Sequence, residues 1–108
     1  MTIDGVSQST GIERLVEVGA TDAGLRLTIR DRKLGAELGR VTVPADALMG
    51  VLTEQPRGPQ NITGGGAALE VEVRRNEVWL AIGGPDAAVG LDDLMDAVGD
   101  ALSAGGGA

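Results

Sequence analysis

A chain of 108 residues has room for one compact domain, or for two small units that share a core. It contains no Cys and no His, which excludes disulfides, thiolate chemistry, Cys or His metal centres and a histidine general base. The formal net charge of −7 and the pI near 4.4 oppose long-range attraction to phosphate and argue against a general nucleic-acid binder.

The residues are 43% hydrophobic, with one Trp and no Phe or Tyr, so the core must be assembled from Val, Leu, Ile and Ala in many small contacts. The opening MTIDGVSQST has neither a basic region nor an apolar run, so no signal peptide is expected. No apolar run reaches the ~18 residues that a membrane span needs. A cytoplasmic location is the default expectation.

In chain order, residues 1–11 are polar and aperiodic and are expected to form a loose arm, with Ile3 and Val6 pinned to the body. Residues 12–18 carry two signals. Thr10-x-x-Glu13 fits a helix capping box, whereas Leu15-Val16-Glu17-Val18 alternates and is β-branched. The alternation favours a strand. Leu25, Leu27 and Ile29 alternate with Arg26, Thr28 and Arg30, the pattern of a half-buried antiparallel strand. A loop around Gly35 turns the chain back into Gly39 to Val43, with Val41 and Val43 inward and Arg40 and Thr42 outward. Pro44 then opens a short helix with Asp46 in its first turn and Leu48, Met49 and Leu52 as its buried stripe.

Residues 55–66 (QPRGPQNITGGG) read as a linker. Beyond it, Leu69, Val71 and Val73 alternate with Glu70, Glu72 and Arg74. Arg75-Asn76 makes a tight turn, with Asn76 suited to a positive φ. Val78, Leu80 and Ile82 return inward, leaving Trp79 and Ala81 outward. A third short strand over residues 87–91 leads to a helix striped by Leu91, Leu94, Met95, Val98 and Leu102. Residues 103–108 read as a disordered tail.

Two stretches share a frame. VPADALMGVL begins at Val43 and VGLDDLMDAV begins 46 residues later at Val89, so that Asp46, Leu48 and Met49 match Asp92, Leu94 and Met95. The expected architecture is therefore α+β. Two tandem β-β-β-α repeats, about 12–54 and 67–102, would form one antiparallel sheet with both helices packed on one face.

The face away from the helices is the candidate interaction surface. It is expected to carry Arg26, Thr28, Arg30 and Arg40 from the first unit and Glu70, Glu72, Arg74, Trp79 and Ala81 from the second. A lone outward Trp among small residues points to a covered surface, so self-association as a homodimer, or a protein partner, is expected. The alternative is single-stranded nucleic acid held by Arg26, Arg30, Arg40 and Arg74 with a base stacked on Trp79, which the net charge disfavours. Asp92, Asp96 and Asp100 are spread too far along a helix to share one cation, so no metal site is assigned. Ser7, Ser9 and Ser103 have no His to activate them. No catalytic residue and no cofactor are assigned, and an enzyme is not expected.

Overall fold

The computed structural model describes residues 1–64 and 67–106, with no side chains described from 104 onward. In chain order the elements are β1 (Thr2–Val6), β2 (Glu13–Thr21), β3 (Gly24–Asp31), β4 (Glu37–Val43) and α1 (Ala45–Glu54). They are followed by β5 (Gln60–Thr63), β6 (Ala68–Arg74), β7 (Glu77–Ile82), β8 (Asp86–Gly90) and α2 (Leu91–Gly106). The strands form one antiparallel sheet in the order β4-β3-β2-β1-β8-β7-β6-β5.

The sheet curls into a nearly closed barrel. Its edge strands, β4 and β5, are not paired with each other, yet β4 packs against β6 and β7. Two glycines permit that approach. A Cβ on Gly64 would stand 2.1 Å from the Thr42 carbonyl oxygen, and one on Gly39 would stand 2.9 Å from that of Ile82. The period-two pattern then separates inside from outside. Val16, Val18, Leu25, Leu27, Ile29, Val41, Val43, Leu69, Val71, Val78, Leu80 and Ile82 are buried in a single core.

This architecture overturns the expected pair of β-β-β-α repeats with both helices on one face. Each half has four strands before its helix, because β1 and β5 both pair. Residues 1–11 are not a loose arm: β1 sits in the middle of the sheet and pairs with β2 from Thr2↔Glu17 to Val6↔Glu13. It has only Ile3 and Gly5 on its inner side, too short an apolar signal to declare itself. The 55–66 stretch contains β5, whose one buried residue is Ile62; residues 65 and 66 lie outside the described residues.

A sheet curled this far offers no single free face on which two helices could lie. α2 packs mainly on β2 and reaches β1, β3, β7 and β8, while α1 packs on β5 and β6. Each helix therefore leans on strands of the other half. Leu48 and Leu94 are both fully buried, and Met49 and Met95 both pack partly buried on the core.

Local chemistry sets the helix ends. Pro44 precedes α1 with φ −58, and the helix closes on Gln55 at φ 51, whose N–H bonds to the Val51 carbonyl. In the β6–β7 turn the positive φ falls on Arg75, at 59°, and not on Asn76. α2 continues through 103–106, where a tail was expected; 107 and 108 lie outside the described residues.

Candidate functional site

The candidate residues fall into two groups on the outside of the barrel. β7 places Trp79 outward because Val78, Leu80 and Ile82 take the core. Across the sheet, Trp79 pairs with Ala88 and Glu72, and Ala88 pairs in turn with Val6. The result is one outward rung, Val6–Ala88–Trp79–Glu72, running from β1 to β6. Val6 is 45% exposed and Trp79 half-buried. Ala81 and Glu70 form the neighbouring rung with Asp86.

Arg74 covers part of the indole, with its guanidinium carbon 5.5 Å from the ring centroid. Its Nε and Nη2 both reach Glu72 Oε1, at 2.8 and 2.5 Å, and its Nη1 also bonds Gln8 Oε1. Gln8 Nε2 donates to Glu77 Oε1 at 2.7 Å.

Beneath this lattice sits Asp86, only 5% exposed. Its Oδ1 accepts from Ser7 Oγ (2.6 Å) and Ser9 Oγ (2.8 Å). Its Oδ2 accepts from the Gln8 amide (3.0 Å) and from Trp79 Nε1 (2.9 Å). Burial pushes this carboxyl up, but the four hydrogen bonds to its charged form outweigh burial and bring its pKa down to about 2. The polar end of Trp79 is thereby satisfied inside the protein, and the 7–11 loop is bound to β7 and β8.

The folded pKa of Asp86 lies below the ordinary 3.8, so its stabilisation is fully present above about pH 4 and disappears as pH falls toward 2. A drop of that size corresponds to about 2 kcal/mol. Urea midpoints measured from neutral pH down to pH ~2.5 are expected to show the wild type's lead over Asp86→Asn shrinking below pH ~4. An acid-independent difference would show that the network does not hold the carboxylate charged.

The second group lies four strands away. Thr28 is 4% exposed, and its rung reads Thr2–Glu17–Thr28–Arg40 across β1, β2, β3 and β4. Arg26 pairs with Gly19 and Thr42 on the next outward rung. Arg30 is bound to Glu17 at 2.5 Å and to the Gly35 carbonyl at 3.2 Å. The Glu17 hydrogen bond raises its pKa above the usual guanidinium value, with the charges of Glu17 and Glu37 adding to the effect against a lowering by burial. Glu37 lies loosely between Arg30 (3.9 Å) and Arg40 (3.8 Å). Arg26 enters no ion pair among the described residues.

The structure thus brings Trp79, Arg74, Glu72, Glu70 and Ala81 together, gathers Arg26, Thr28, Arg30 and Arg40, and keeps the two sets apart. Val6 was expected to be pinned to the body with Ile3, but only Ile3 is buried and Val6 faces outward at 45% exposure; missed as site residues were Ser7, Gln8, Ser9 and Asp86. Serines and an Asp in turn-like stretches gave no pattern linking positions 7 and 86. Arg14 was missed too. It shares the inward side of β2 with Val16, is 8% exposed, and has Nη1 at 3.6 Å from Asp31, while its Nε has no partner among the described residues.

Among the described residues no cluster of acidic side chains is placed to hold a metal ion, and no helix is long and apolar enough to cross a membrane. No family model, curated protein or solved structure matches this chain.

Proposed function

We propose that this protein is a small, non-catalytic binding or assembly module that self-associates through the outer face of β1, β8 and β7. The observation that carries this reading is the Val6–Ala88–Trp79 rung. It is an apolar strip across neighbouring strands, with an aliphatic side chain left 45% exposed in the same rung as the chain's one aromatic. Polar groups border it: Arg74 and Glu72, with Gln8 linking them to the Asp86 network. An apolar centre inside a polar rim is how protein interfaces are built.

Two features favour binding over catalysis. Asp86 has both oxygens occupied and a pKa near 2, so it is a weak proton acceptor at neutral pH. Ser7 and Ser9 spend their hydroxyl protons on that carboxylate rather than facing a base. Single-stranded nucleic acid is the weaker reading, because Arg74 lies on the indole and is already bonded to Glu72.

Trp79 itself reports the contact. Acrylamide quenching of its emission is expected to fall as concentration rises from below micromolar to tens of micromolar, and Val6→Glu is expected to abolish that dependence. Quenching independent of concentration in the wild type would remove the proposal.

A further inference from the structure

We propose that the outer groove on β2, β3 and β4 is a binding site for a small tetrahedral oxyanion, phosphate or a phosphomonoester, gripped by Arg26 and Arg40 over the Thr28 hydroxyl. The site is separate from the Trp79 rung and does not depend on self-association.

The groove has a volume of about 210 Å³, against about 30 Å³ for one liquid water, so a phosphate with a small substituent fits. Glu17, Arg26, Thr28, Arg30, Glu37 and Arg40 line it. Thr28 is 4% exposed and lines the same groove. The register sets the two grips. Arg40 is directly opposite Thr28 and Arg26 is two residues before it, which makes Arg26 and Arg40 diagonal neighbours on adjacent strands. Such diagonal neighbours are about 7–8 Å apart, a span that two guanidinium groups close around one anion.

The three arginines are not equivalent. Arg30 is spent on Glu17 and on the Gly35 carbonyl. It therefore shapes the wall and neutralises Glu17, and is not the primary donor. Arg26 has no ion pair among the described residues. Arg40 is 55% exposed and, among the described residues, is ion-paired only with Glu37, whose oxygen at 3.8 Å is beyond hydrogen-bond distance. Glu37 thus stands beside the site as a loose internal competitor. Either guanidinium alone could pair with a carboxylate; donors arriving from two strands and a threonine can reach three or more oxygens, which a phosphate has and a carboxylate lacks.

The test is a titration of isotope-labelled protein with inorganic phosphate, followed by NMR and compared with chloride at equal ionic strength. Saturable shifts confined to Arg26, Thr28, Arg40 and their neighbours are expected, with a dissociation constant of roughly millimolar order. Arg26→Ala is expected to weaken binding about 10-fold or more, the value of a charge-assisted hydrogen bond, with unchanged circular dichroism because Arg26 is exposed. Glu37→Gln is expected to tighten it by releasing Arg40. Glycerol phosphate should bind at least as well as phosphate, and acetate more weakly. Non-saturable shifts, an unchanged affinity in Arg26→Ala, or tighter binding of acetate would each overturn the assignment. So would saturation by oligo-dT but not by phosphate, since that would indicate a polymer groove.

Discussion

Asp86→Ala is expected to cost about 3 kcal/mol of stability, a large loss for a single polar side chain. The substitution leaves the fully buried Ser7 hydroxyl, among the described residues, with Ser9 Oγ and the Thr10 amide as partners and no carboxylate to donate to. It also strips the acceptor from the Gln8 amide and from the Trp79 indole. Asp86→Asn separates charge from shape. Its amide group can turn toward Ser7 and Ser9, whose hydroxyls rotate to accept, while its oxygen keeps the two N–H donors that cannot rotate. A loss of roughly half that of Ala is therefore expected. Urea denaturation followed by Trp79 emission measures both. Equal losses would mean that Asp86 matters only for the space it fills.

Leu94→Ala is expected to cost at least as much, and its partner in the shared frame, Leu48→Ala, is expected to match it. Both leucines are fully buried and both belong to the core that the helices close. Leucine truncation at such sites costs about 3–5 kcal/mol, the transfer loss plus the cavity left behind. The two losses are expected to agree within about 1 kcal/mol, because both helices seal the same interior. Chemical denaturation of each variant checks this. A loss below ~1 kcal/mol for Leu48 would mean that α1 rests on the barrel without completing it.

The strands with three inward aliphatics were legible. Leu25, Leu27 and Ile29 declare β3, and Val78, Leu80 and Ile82 declare β7, because period two and β-branching agree there. β1 and β5 were not, since each brings one buried aliphatic, Ile3 or Ile62, and their stability comes from pairing with neighbours already in place. Without them the sheet looked open, and closure went unseen with it. The α2 stripe was legible at Leu94 and Val98 but was misjudged further on. Ala97 and Ala101 are buried and Leu102 is 36% exposed, because a helix crossing five curved strands needs small residues where the backbones come close.

The candidate surface was legible as a set of outward positions, since parity alone assigns them. Its division into two sites was not. Strand order decides it, and β1 and β8 intervene between the arginine groove and Trp79. Nor could residue patterns place Ser7 against Asp86 across 79 positions; that contact follows from β1 lying beside β8.

Sedimentation velocity of the wild type and of Val6→Glu bears most directly on the claim that the Val6–Ala88–Trp79 strip is a self-association surface. The substituted side chain points outward at a 45% exposed position, so the fold is expected to survive it. A dimer for the wild type at tens of micromolar and a monomer for Val6→Glu is the expected pair of results. A wild-type monomer at that concentration, or a dimer that the added carboxylate leaves intact, would contradict it.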